Sequence, residues 1–172
     1  MVLVLSAQQL AAMSAHAERV YPEECCGLMV GEIQLQQEEG EASQKRLVEL
    51  VPLDNTWTAE ALAEETSTAA SPYTKRRRYQ IAPEDMLRTQ QRAREQGLNI
   101  LGVYHSHPDH DAVPSECDRA LAWPEYAYVI VSIRGGKAVD VQNWTLDSTQ
   151  QFQPETMRIS PSSARDRMPV SA

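Results

Sequence analysis

A chain of 172 residues fits one domain, long enough to bury about two thirds of the surface its unfolded form exposes and so to fold without staples. Its formal charge of −8, from 16 Lys and Arg against 24 Asp and Glu, excludes a generic phosphate-binding surface for nucleic acid, because counterion release needs clustered cations. Three cysteines, two of them adjacent (Cys25, Cys26) and the third at Cys117, exclude a disulfide framework and indicate a reducing, cytoplasmic setting.

Neither a signal peptide nor a membrane span is expected. The opening M-V-L-V-L-S has no basic segment, and no apolar run approaches about 18 residues. Residues 2–5 suit a short edge strand. Ser6 and Gln9 match a capping box ahead of a helix over about 7–19, on which Leu10, Met13 and Ala17 recur at helical spacing. His16 on this helix is a surface or packing residue, since a ligand needs convergent partners. Pro22 stops the helix. The apolar segment 23–31, E-E-C-C-G-L-M-V-G, reads as a buried strand with two acids at its entrance, neither notable alone.

Residues 32–46 are polar and fit an exposed connection, and L-V-E-L-V-P-L (47–53) alternates as a strand ended by Asp54 and Asn55. Residues 56–78 form an expected mobile insertion, with a helical turn around 59–65, that composition alone leaves open between a lid and a plain loop. It ends in the basic run Lys75-Arg76-Arg77-Arg78, either a solvated loop edge or a docking surface for an acidic partner. Extended structure resumes at 79–81, and a helix over 83–96 has Pro83 at its first position, acids in its first turn, Arg92 and Arg94 late, and Gly97 past its end. Next comes a central strand, N-I-L-G-V-Y (99–104), whose Gly102 hints at close backbone approach. Ser115 to Asp118 opens a short helix over about 116–122 that Pro124 terminates. Strands at 126–133 and 138–144 pair through an R-G-G-K turn, with Val139 and Val141 facing one way, and one more strand is expected near Gln151 and Phe152. Residues 154–172 read as a disordered tail.

The chemistry concentrates at the end of the central strand, H-S-H-P-D-H-D-A-V-P-S-E-C-D. A period of two puts His105 and His107 on one face with Ser106 turned away. With Asp118 returning from the next element, they make a three-ligand set that leaves a tetrahedral zinc one open position, the mark of a catalytic rather than a structural site. Asp109, His110 and Asp111 in the intervening loop are treated as solvated polar residues, and Cys26 and Cys117 as packed thiols, because a three-ligand site needs no more.

An HxHP followed by a loop and then SxxD, with an early strand preceded by Glu, resembles the JAMM (MPN-plus, JAB domain) zinc metalloproteases, and the likeness runs from about Leu5 to Trp144. It implies an α/β fold: a single MPN domain over residues 1–153 with a cytidine-deaminase-like curved mixed sheet of six to eight strands flanked by helices. It also implies one Zn²⁺ per chain on His105, His107 and Asp118, Glu24 as general base, and Ser115 as the residue that helps hold the tetrahedral intermediate. Glu24 is preferred to Glu23 because the family's acid stands three residues before the strand's glycine, here Gly27.

Short members with Y-P-E-E-C-C-G are similar to peptidases acting at the carboxyl end of small ubiquitin-like sulfur carriers. The expected activity is therefore hydrolysis of a peptide or isopeptide bond after a Gly-Gly tail, with zinc-bound water as nucleophile and the 56–78 insertion flanking the slot for the tail. The alternative is a non-catalytic interaction module on the same fold, against which Glu24 and the complete ligand set weigh. A zinc deaminase is excluded by the lack of H-x-E and P-C-x-x-C, and neither nucleic acid nor a membrane is expected as a partner. Oligomeric state stays open, a homodimer being one option.

Overall fold

The computed structural model of the protein describes residues 1–36, 42–58 and 74–167. Its elements in chain order are β1 (Val2–Ser6), α1 (Ala7–Val20), β2 (Cys26–Gln34), β3 (Gln44–Leu53), α2 (Pro83–Glu95), β4 (Asn99–Pro108), α3 (Glu116–Leu121), β5 (Ala127–Arg134), β6 (Lys137–Leu146), β7 (Phe152–Pro154) and β8 (Met157–Ser160). All eight strands join one mixed sheet in the order β7-β6-β5-β4-β2-β3-β1-β8. The architecture is α/β, a curled sheet with helices on its faces. Among the described residues no helix is long and apolar enough to cross a membrane.

Local chemistry places the helices. At the start of α1 the Gln9 amide donates to Ser6 Oγ (3.3 Å) and Ser6 N donates to Gln9 Oε1 (2.8 Å), the reciprocal pairing of a capping box. The Gln9 side chain is fully buried, and its Nε2 reaches the carbonyls of Leu47 and Val48. A β-bulge in the β2–β3 pairing opposes this point, leaving Val48 without a ladder partner. Helix α1 lays Met13 and Ala17 on Leu3, Leu5, Leu101 and Tyr104. On the opposite face Met86 of α2, with Tyr79 and Ile81, covers Leu28, Val103 and Tyr128. Consecutive β4 residues thus serve different cores, Val103 one and Tyr104 the other, as strand alternation requires.

Gly102 sits where β4 meets the start of β5, and a Cβ there would lie 1.9 Å from the Ala127 carbonyl oxygen. The expected close approach is therefore backbone against backbone. β4 and β5 run parallel as neighbours, so the chain between them, including α3, is a crossover that begins and ends on adjacent strands.

Several expectations change. β1 is not an edge strand, because β8 pairs with it in parallel, from Leu3 with Met157 to Ser6 with Ser160. Of the tail expected to be disordered beyond a domain limit at 153, residues 154–167 instead carry the end of β7, then β8 and a bridge from Arg167 to Glu49. Beyond β8, Arg167 N donates to the Val48 carbonyl (2.7 Å), supplying the partner that the bulge removed. Residues 168–172 lie outside the described residues. Val139 is exposed and falls at a register shift between β5 and β6, so it does not share a face with the partly buried Val141. Residues 79–81, expected to be extended, join no strand of the sheet, and Thr56 N donates to the Gln80 carbonyl (3.0 Å), tying the two stems of the 56–78 segment together. The helical turn expected at 59–65 lies outside the described residues.

β7 and β8 occupy opposite edges of the sheet yet are separated in sequence only by Glu155 and Thr156. Glu155 N donates to the Asn143 carbonyl of β6 (2.8 Å), and Leu3 N of β1 donates to the Thr156 carbonyl (3.0 Å). Curling brings the edges together, and this two-residue link closes the seam. The buried Glu155 carboxylate accepts from Asn143 Nδ2 (2.9 Å) and lies 4.0 Å from the buried ammonium of Lys45.

Candidate metal centre

His105 and His107 occupy the last turn of the β4 pleat, both pointing to the α2 face, and both are buried. Their Nε2 atoms are 3.1 Å apart. Asp118, at the third position of α3, brings Oδ1 to 3.5 Å from His105 Nε2 and Oδ2 to 3.5 Å from His107 Nε2. Among the described residues this is the cluster whose ligand atoms converge, all within 4.8 Å of one another. Metal bonds of about 2.0–2.1 Å in a tetrahedron separate ligand atoms by about 3.3 Å, so the three spacings fit such an ion. His107 Nδ1 lies 2.9 Å from the Asp111 carbonyl oxygen, which can only accept, so Nδ1 carries the proton and Nε2 offers its lone pair. The His107 lone pair and the Asp118 carboxylate then face one point, with His105 Nε2 beside them, an arrangement that suits a cation.

The electrostatics of the cluster are polarised. Burial works against ionisation of Asp118, but both imidazoles and the Ser115 hydroxyl outweigh it and hold the carboxyl well below its usual range. His105 is fully buried, and that burial pushes its pKa down to about 4 despite the Asp118 charge, which keeps the ring neutral. For His107 burial is outweighed by Asp118, Glu24 and the Asp111 carbonyl, so its pKa is raised. Tyr79 stacks on His105 at a centroid distance of 4.6 Å.

Ser115 caps α3. Its Oγ accepts from Asp118 N (3.2 Å), while its hydroxyl and its own N–H both reach Asp118 Oδ2 at 2.6 Å. The capping box and the aiming of the carboxylate are thus one set of bonds. Glu24, distant in sequence, reaches the same place because Cys26 pairs with His105 across β2 and β4. It is 5% exposed, and burial pushes its pKa up to about 8, with Asp118 adding and His107 and Arg78 opposing. Glu24, His107 and Ser115 line a common cleft of about 420 Å³ that Arg77, Arg78 and His110 also line. Glu23 is exposed.

The remaining candidates are elsewhere or otherwise engaged. Asp109 accepts from Gly135 N (3.1 Å) and the Tyr21 hydroxyl (3.1 Å), and Asp111 pairs with Arg134 (2.6 Å), so both hold the loop between the ligands instead of joining them. Cys26 is fully buried and Cys117 half-buried, and neither belongs to the cluster. His16 is buried against Tyr104, its Nδ1 2.8 Å from the hydroxyl, which makes it a packing residue.

Two residues that the sequence did not single out position the site. Asn55 donates from Nδ2 to the carbonyls of Glu24 (3.1 Å) and Arg78 (2.8 Å), and its Oδ1 accepts from Trp57 N (3.0 Å) and Gln80 N (3.2 Å). One side chain therefore fastens Glu24 to the basic loop. In sequence it is only a strand-ending asparagine. Tyr79 is the other, and its aromatic ring next to a basic run carried no signal of its own.

The model for the prokaryotic homologs of the JAB domain matches residues 6–147, and the chain belongs to that family. Within the curated proteins it is 36% identical over 93 residues to a desampylase from Haloferax volcanii, a match spanning 51% of this chain and 66% of that protein. It is 31% identical over 134 residues to the CysO-cysteine peptidases of Mycobacterium tuberculosis and Mycobacterium bovis, spanning 77% of this chain and 75% of theirs. In architecture it resembles the solution structure of a protein from Desulfitobacterium hafniense, with a TM-score of 0.69 at 23% identity over 95% of this chain and 96% of that one. A second solution structure, of a protein from Salinibacter ruber, gives a TM-score of 0.60 at 27% identity over 96% of this chain and 98% of that one.

Proposed function

We propose that this protein is a zinc metallopeptidase of the reducing cytoplasm that hydrolyses the peptide or isopeptide bond following the C-terminal Gly-Gly tail of a small ubiquitin-like sulfur-carrier protein. The observation that carries this reading is the buried Glu24 carboxyl sharing one cleft with His107, whose Nε2 converges with His105 and Asp118. The printed names of the relatives support the substrate class, and the three free cysteines support the compartment.

In the proposed roles His105, His107 and Asp118 hold one zinc, with His107 fixed in its tautomer by the Asp111 carbonyl. A bound zinc supplies Lewis acidity, which acidifies water and polarises a carbonyl. Glu24 takes a proton from the attacking water and returns it to the departing amine nitrogen, work suited to a carboxyl that burial has moved towards neutral pH. Ser115 turns its hydroxyl from Asp118 Oδ2 towards the developing oxyanion, keeping the backbone bond that caps α3.

The test pairs metal analysis with hydrolysis of a Gly-Gly-tailed carrier adduct by wild type and Glu24→Gln. We expect about one zinc per chain in both and a rate loss of at least ~10²-fold in the variant, the usual scale for removing a general base. Equal rates would remove Glu24 from the mechanism. A zinc-loaded wild type that binds the carrier without cleaving it would make the chain an interaction module instead.

A further inference from the structure

The cleft holds charges of both signs, and their pairing is uneven. On the wall formed by the ligand loop and α3, Asp111 is taken by Arg134 (2.6 Å) and Glu116 by Arg119, through two bonds of 2.7 and 3.0 Å. Arg78 directs its charge on Glu24. Arg76 reaches Asp109 at 3.7 Å. Arg77 differs: it lines the cleft, is exposed, and among the described residues has no carboxylate within ion-pair distance. Its Nη2 instead lies 2.8 Å from His110 Nε2. A guanidinium cannot accept, so His110 accepts with a lone pair and orients the fork without neutralising it. The loop beneath is fastened by Arg77 N donating to the Thr74 carbonyl (2.8 Å), Glu24 N to the Lys75 carbonyl (2.7 Å) and Asn55 to Arg78. Among the described residues, this acidic protein thus presents one oriented guanidinium without a carboxylate partner in the cleft that His107 lines.

We infer that Arg77 is a specificity residue that binds the free α-carboxylate of the leaving group, so that the preferred substrate carries a single amino acid after the Gly-Gly tail, not a lysine side chain of another protein. The assignment rests on the hydrolase reading above. At about 420 Å³ the cleft is of the size that holds small ligands, about 300–1,000 Å³, which suits one residue. An α-carboxylate is attached to the same carbon as the scissile nitrogen, whereas an isopeptide-linked lysine has only methylenes there. The reaction adds the water oxygen to the carbonyl carbon, breaks the C–N bond and delivers a proton to the nitrogen. The product amino acid leaves as a zwitterion with its carboxylate on Arg77.

The experiment compares kcat and KM for three adducts of one Gly-Gly-tailed carrier: a C-terminal cysteine as free acid, the same cysteine as carboxamide, and a lysine ε-amine isopeptide. Wild type, Arg77→Ala and Arg77→Lys are measured at equal zinc content. We expect wild type to prefer the acid over the carboxamide by about ten- to a hundred-fold, the range of a hydrogen bond to a charged group, chiefly through KM. Arg77→Ala should bring the acid down to the level of the carboxamide, slowing the acid far more than the carboxamide, and Arg77→Lys should keep part of the preference. Equal wild-type turnover of acid and carboxamide, a lysine adduct cleaved as fast as the acid, or an Arg77→Ala variant that slows both forms alike overturns the assignment and leaves the hydrolase reading standing. A zinc-loaded wild type that cleaves none of the three overturns both.

Discussion

At the scale of single residues, Ser115 holds two roles that substitution can separate. Ser115→Ala removes a helix cap, which costs about 1 kcal/mol, and also removes the hydroxyl proposed for the oxyanion. Ser115→Asn keeps a capping acceptor but no hydroxyl. We expect urea denaturation to show stability lost in the first variant and largely regained in the second, while single-turnover hydrolysis stays on the order of 10²-fold slow in both. His16 gives a pH prediction. Burial lowers its pKa from 6.5 to about 4, with the Arg19 charge adding and Asp54 opposing. Between those values the unfolded chain binds a proton that the folded chain refuses. Its contribution is therefore intact above pH 6.5 and lost as the pH falls towards 4. Thermal melts across that window should drop less steeply for His16→Asn, whose amide oxygen can take the Tyr104 hydroxyl bond.

At the scale of elements, the site is built from one strand end, one helix start and one fastened loop, and these were unequally legible. His105, His107 and Asp118 could be read because strand alternation and a capping box are periodic signals. Asn55 could not. Its value comes from four bonds to groups on both sides of the 59–73 segment, and nothing local in a strand-ending asparagine reports them. Asn55→Ala leaves the Glu24 and Arg78 carbonyls and the Gln80 amide without that partner. Stability should fall by roughly 1–3 kcal/mol on the scale of an unsatisfied buried polar group. Activity should fall further than Asn55→Asp, which keeps Oδ1. Zinc stoichiometry should stay unchanged, because none of the ligands leans on Asn55. The strand β8 was missed for a related reason: M-R-I-S is short and half polar, and its pairing is decided by β1 at the far end of the chain.

At the scale of the whole molecule, the curled sheet depends on its seam. The Glu155 carboxylate is buried among Asn143 and Lys45, and burial depresses the Lys45 ammonium while Glu155 holds it up. Glu155→Ala strands a buried cation and should cost about 3–5 kcal/mol in urea denaturation, as breaking such pairs does. Lys45→Met combined with Glu155→Gln should recover most of it, since the amide can still meet Asn143. The general plan of strands, helices and site was visible in local patterns, but closure was not, because it joins residues whose nearness follows only from the curl of the assembled sheet.

The placement of the ligands has a consequence for descent. His105, His107 and Asp118 lie on one continuous stretch, the end of β4 and the crossover that follows it, while Glu24 is contributed from before β2. On the proposed roles, metal retention and bond cleavage are inherited from separate parts of the chain. A single substitution at Glu24 can convert a hydrolase into a metal-bearing docking protein without disturbing the crossover, and its reversal can restore the enzyme. Drift between the two ways of life within one lineage therefore requires only one codon.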